Sequence, residues 1–203
     1  MASNAEYKIF IISGPSGVGK TTVAKRVMRR LPMLKTSLSY TTRTKRLGKK
    51  EDKTFIHVSE DDFRKKIEQG DFLEWAVVHD NLYGTDKATV ERTLKHHGML
   101  MNIDPQGALQ IKKKMPQQTV LIFLKTRTIG ELARRILMRE KMPKVVLDLR
   151  LKKSAKKELA LANQYDHIVI NEKNRIKHTV DMVVDIIQKH SKSQAWLFPF
   201  FGL

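Results

Sequence analysis

Gly14, Gly19, Lys20 and Thr21 stand in the pattern G-x-x-x-x-G-K-[ST]. That spacing suits the holding of a polyphosphate. Glycines let the backbone wrap closely around an anion, because no Cβ intervenes. Successive N–H groups then converge on the phosphates, and a helix N-terminus adds partial positive charge. Lys20 can reach the β- and γ-phosphates, and the Thr21 hydroxyl can ligate Mg²⁺. The loop as a whole comprises Gly14, Pro15, Ser16, Gly17, Val18, Gly19, Lys20, Thr21 and Thr22.

A second constellation is Ser39-Tyr40-Thr41-Thr42-Arg43-x-x-Arg46-x-Gly48. It brings two guanidinium groups onto one loop. Each can donate two parallel hydrogen bonds to a phosphate monoester. Taken alone, the pair reads better as an exposed basic loop.

The elements around these residues suit their task. Ile9 to Ser13 is an apolar run expected to be a buried strand, and Gly19 to Leu31 a helix with Val23, Val27 and Leu31 on one face. Further strands are expected at Thr36–Tyr40, Phe55–Val58, Phe72–Val78, Met99–Ile103, Thr119–Leu124 and His167–Ile170. Residues 41–53 read as an exposed loop. Ser59 with Asp62 three residues on forms a capping box for a helix ending at Gly70. Asn81–Thr85 reads as a turn into a helix ending near His97. Other helices are expected after Asp104 to Lys114, from Thr128 to Arg139, from Pro143 as one long basic helix to Gln164, and from Ile176 to Gln188. Apolar strands alternating with helices predict an α/β fold with a parallel sheet. Short mixed strands between about 37 and 98 interrupt that rhythm and predict an inserted subdomain.

A chain of 203 residues with 41% hydrophobic content supports one domain with a substantial core. With no cysteine, disulfide frameworks and thiolate chemistry are excluded. The first residues lack a signal-peptide pattern, and no apolar run reaches the roughly 20 residues of a membrane span. A cytoplasmic location is expected. The net charge of +18 favours anionic ligands. No zinc pattern, RNA-binding aromatic signature or basic zipper accompanies it, so no specific nucleic-acid partner is expected.

Read in order, Gly14-Pro15-Ser16-Gly17-x-Gly19-Lys20, the Ser39-to-Gly48 stretch, Phe72-Leu73-Glu74-Trp75, Tyr83-Gly84-Thr85, Ile103-Asp104-x-Gln106-Gly107, and Tyr165-Asp166 leading to Asn171 make the chain resemble the guanylate kinases over residues 8 to 188. The resemblance implies a P-loop kinase with a central parallel sheet flanked by helices. Its core would span about 7–36, 99–127 and 164–190, its GMP-binding insertion about 37–98 and its helical lid about 128–163, leaving an apolar tail at 191–203. It implies transfer of the γ-phosphoryl group of ATP to GMP with Mg²⁺. Arg43, Arg46 and Tyr83 would hold the GMP phosphate. Ser39, Glu74 and Thr85 would read guanine, and Asp104 would lie near nucleotide and metal. Lys20, Arg43, Arg139 and Arg150 would serve catalysis, with Arg135 and Arg139 on ATP and Asn171 beside the adenine. A monomer or homodimer is expected.

This chain departs from the family pattern at Lys49, Asp52, Phe55 and Asn102, usually Glu, Gly, Tyr and an acidic residue. Two alternatives stay open: a noncatalytic guanylate-kinase-like module gripping a phosphorylated partner, and a kinase of another phosphorylated small molecule.

Overall fold

The computed structural model describes residues 7–45, 55–78, 80–139, 143–149, 151 and 155–191; the side chains of Arg139, Lys144 and Leu149 also lie outside the description. In chain order the elements are β1 (Ile9–Ser13), α1 (Lys20–Arg30), β2 (Ser39–Thr41), β3 (Phe55–His57), α2 (Glu60–Glu68), β4 (Phe72–Val78), β5 (Asn81–Asp86), α3 (Lys87–Leu94), β6 (Met99–Asn102), α4 (Pro105–Lys114), β7 (Thr119–Lys125), α5 (Ile129–Arg139), α6 (Lys144–Leu149), α7 (Lys156–Ala160), a 3₁₀ turn (Leu161–Gln164), β8 (His167–Ile170) and α8 (Ile176–His190).

They build two sheets. One is parallel, in the order β6-β1-β7-β8, and the other is mixed, in the order β3-β2-β5-β4. β1 lies inside the parallel sheet, which explains its unbroken apolar run. Its residues alternate between two cores. Phe10 and Ile12 join Val23 and Val27 of α1 and Val183 and Ile187 of α8, whereas Ile9 and Ile11 join Ala108 and Ile111 of α4. A third, smaller core of Phe63, Phe72 and Leu82 underlies the mixed sheet. Among the described residues, no helix is long and apolar enough to cross a membrane.

Most expected elements stand where the pattern puts them. Ser59 caps α2 as expected, accepting from the Asp62 amide and donating to the Asp62 carboxylate. Two expectations need correction. Residues 36–38 are not strand; Lys35 makes only an isolated bridge to Met99, and β2 begins at Ser39. Asn81–Asp86 is not a turn but a strand paired on both sides, with β2 and β4. Gly84 serves close packing there: a Cβ would lie 3.0 Å from the rings of Phe63 and Phe72. The reversal comes earlier, where Asp80 takes a left-handed conformation (φ 61°). Of the long helix expected after Pro143, the described residues show α6, α7 and the 3₁₀ turn; Leu147, Leu151 and Ala155 pack on the core of α1 and α8, and Leu159 and Ala162 on that of α4.

Candidate active site

The Gly14–Thr22 loop leaves the carboxyl end of β1, the edge of an open α/β sheet where ligands bind. Its glycines are structural necessities. Gly14 has φ 135°, and a Cβ there would lie 2.1 Å from the Leu124 carbonyl oxygen. Gly19 has φ 105° and caps α1, where a Cβ would meet the Asn171 amide at 2.6 Å. Val18 is buried, so its side chain anchors the loop from below. Lys20 Nζ folds back and donates to the carbonyls of Gly14 and Pro15. Thr21 Oγ1, at an exposed position, accepts from Asn102 Nδ2 at 3.1 Å.

The loop is braced from behind by two residues expected to contact ATP. Asn171 Nδ2 donates to the Val18 carbonyl at 2.8 Å, while its Oδ1 accepts from Thr179 at 3.1 Å. Arg135 donates to the same Val18 carbonyl at 3.0 Å, to the Asn171 carbonyl at 2.6 Å and to Glu131 at 2.6 Å. Asn171 is buried, and both side chains are committed to protein partners. In this structure both side chains hold the loop in shape through the Val18 carbonyl.

Opposite the loop stands the mixed sheet. A cavity of about 240 Å³ is lined by Ser16 and Lys20 on one side, by Ser39, Phe55, Glu74 and Tyr83 on the other, and by Asn102, Asp104 and Glu158 between them. Glu74 is 3% exposed, a costly place for a carboxylate. Burial pushes its carboxyl up to about 7, with Asp104 adding to the rise. The hydrogen bond from Thr85, from Oγ1 to Oε1 at 2.6 Å, pulls the other way, as does Lys114. Thr85 is fully buried, and in this structure its hydroxyl is engaged by Glu74.

Asp104 Oδ1 caps α4, accepting from the Gln106 and Gly107 amides at 2.8 and 3.3 Å. Phe55 packs edge-on against Tyr83, ring centroids 5.8 Å apart, and the Arg43 guanidinium lies 5.5 Å from the Phe55 centroid. Arg43 thus reaches the rim of the cavity on a cation–π contact. Tyr165 packs its ring on Phe123, and Asp166 accepts from Lys112 and the Leu121 amide. Both are architectural. Arg46, Arg150 and the side chain of Arg139 lie outside the described residues.

Glu158 belongs to no motif of the sequence, yet it lines this cavity. Its one signal in the chain is that it is the only acidic residue between Asp148 and Asp166, in a lysine-rich stretch.

Comparison with known proteins places the chain in a family. The guanylate kinase family model matches residues 6–190. This chain belongs to the guanylate kinase family. It is 40% identical over 184 residues to the guanylate kinase of Thermotoga maritima, covering 89% of this chain and 86% of that one. It is 42% identical over 171 residues to that of Syntrophomonas wolfei, covering 84% and 87%. The crystal structure of guanylate kinase from Anaplasma phagocytophilum superposes with a TM-score of 0.75 at 29% identity, covering 94% of this chain and 89% of that one. Neighbours of the guanylate kinase family thus share the fold over nearly the whole chain.

Proposed function

We propose that this guanylate kinase family member transfers the γ-phosphoryl group of ATP to GMP, giving ADP and GDP. The observation that carries the reading is the buried Glu74 carboxylate facing the same cavity as Lys20. Guanine presents N1–H and an exocyclic NH₂ side by side, and an ionised carboxylate can accept from both. Adenine offers an acceptor at N1, which the carboxylate repels. The Gly14–Thr22 loop takes the ATP phosphates, with Lys20 as the positive charge on them. Arg43, Arg46 and Tyr83 take the GMP phosphate, Ser39 and Asp104 complete the acceptor site, and Arg139 and Arg150 approach the transferring group.

Phosphoryl transfer needs positioning and charge neutralisation more than a covalent catalyst. The reading divides the chain into a core carrying the parallel sheet, a GMP-binding insertion at about 37–98 and a lid at about 128–163 that excludes water from the reacting phosphates. Mg²⁺ suits the donor set. Among the described residues no cluster of three or more His, Cys, Asp or Glu forms a metal cage, and Mg²⁺ in kinases takes few protein ligands beside the phosphates. Thr21, with its exposed hydroxyl, would hold it, and Asp104 stands near. The ion supplies neutralising charge on the phosphates.

The test is ADP formation from ATP with GMP, AMP, CMP and UMP offered separately. GMP-dependent turnover far above the other three is expected; equal turnover, or none, would reject the assignment.

A further inference from the structure

Glu158 is a charged group of the cavity for which the reaction above has no task. Its placement is built. Ala155, 4% exposed, packs on the core of α1 and α8, and Leu159 packs on the core of α4. Held on both sides, α7 presents Glu158 to the cavity that Ser16, Lys20 and Asp104 line. The Lys20 ammonium and the Asp104 carboxylate are the charges that face it, with the Tyr165 hydroxyl and Glu74 nearby. Burial raises its carboxyl to about 7, and the Lys20 ammonium draws it back down.

We propose that Glu158 is a positioning residue acting through Lys20: its carboxylate is the counter-ion of the Lys20 ammonium while the phosphate site is empty, and gives that ammonium up to the donor polyphosphate. The proposal rests on the phosphate-loop reading but not on GMP being the acceptor. A cation in a partly buried site is stabilised by an opposite charge. The arriving phosphates compete for the same ammonium and repel the carboxylate at short range. Glu158 therefore holds polyphosphate affinity below what the loop alone would give. Because α7 carries it, donor binding pushes on α7 through this one side chain.

Calorimetric titration of the full chain with inorganic tripolyphosphate, without GMP, tests this directly. Glu158→Gln should bind tripolyphosphate at least fivefold more tightly than wild type. Glu158→Asp, which keeps the charge, should stay within about twofold. Unchanged or weaker binding by a Glu158→Gln protein that melts like wild type would overturn the proposal. A melting cycle gives an independent readout. Lys20→Met leaves the carboxylate without its counter-ion, so adding Glu158→Gln should raise the melting temperature of that variant; additive effects would count against the pairing. A protein that passes these tests but fails to phosphorylate GMP would reject the proposed acceptor and keep this inference.

Discussion

Glu74 and Thr85 are register partners on β4 and β5, and Thr85 Oγ1 donates to Glu74 Oε1 at 2.6 Å. The strand pairing alone sets this contact. It keeps one carboxylate oxygen satisfied in a buried site, and it fixes which way the carboxylate faces. Gly107 completes the seat, since a Cβ there would lie 2.4 Å from Glu74 Oε2.

If Glu74 reads the base as proposed, Thr85 acts on it through Glu74. Thr85→Val keeps the shape and removes the donor. A hydrogen bond to a charged group contributes about 1.5–3 kcal/mol. The variant should raise the KM for GMP about tenfold or more at pH 7 and leave the KM for ATP in place. A GMP KM that stays put would show that the hydroxyl does not support the carboxylate.

The Glu74 carboxyl, raised from 4.5 to about 7 by burial, makes GMP recognition pH-dependent. Only the ionised form accepts from both guanine donors. As pH falls below 7 the empty site takes up a proton that GMP must displace, so affinity should drop by up to about 1.4 kcal/mol for each further pH unit. The GMP phosphate also titrates near pH 6, so Glu74→Gln provides the baseline. KM for GMP measured from pH 5.5 to 8 should rise more steeply toward acid in wild type than in the variant; parallel profiles would remove Glu74 from the linkage.

Asn171 braces the phosphate loop through the Val18 carbonyl. Asn171→Ala should weaken ATP, GTP and inorganic tripolyphosphate by similar factors, because the fault lies in the loop. A loss confined to ATP, with tripolyphosphate binding intact, would return the residue to the adenine.

Phe55 stands at the cavity wall between Tyr83 and Arg43. Phe55→Tyr adds a hydroxyl within that wall and should lower the KM for GMP, by at most the 1.5–3 kcal/mol of one charge-assisted hydrogen bond. An unchanged or higher KM would mean that position 55 does not face the GMP phosphate.

Features set by neighbours in the chain are legible in the sequence. The phosphate loop is a strand, a glycine turn and a helix within 22 consecutive residues, Ile9 to Arg30, and the Ser59–Asp62 cap is four residues long. The continuous apolar run of β1 marks a strand covered on both faces. Features set by distant partners are not legible. Gly84 looks like a turn residue until Phe63 and Phe72 are brought against it. Asn171 and Arg135 meet Val18 across more than a hundred residues of chain, which no spacing rule encodes. Glu158 sits in a basic stretch with no motif around it, and only the packing of Ala155 and Leu159 on two cores brings it to the cavity that Lys20 lines.

The most direct test of the account is the ratio of kcat/KM for GMP to that for AMP, compared between wild type and Glu74→Gln. A neutral amide loses the double acceptor, so the ratio should fall at least tenfold, about 1.4 kcal/mol. ATP affinity should hold, and the melting temperature should not drop, since the variant removes a buried charge that nothing on the protein fully compensates. An unchanged ratio accompanied by a lower melting temperature would contradict the account and make Glu74 a structural residue of the mixed sheet.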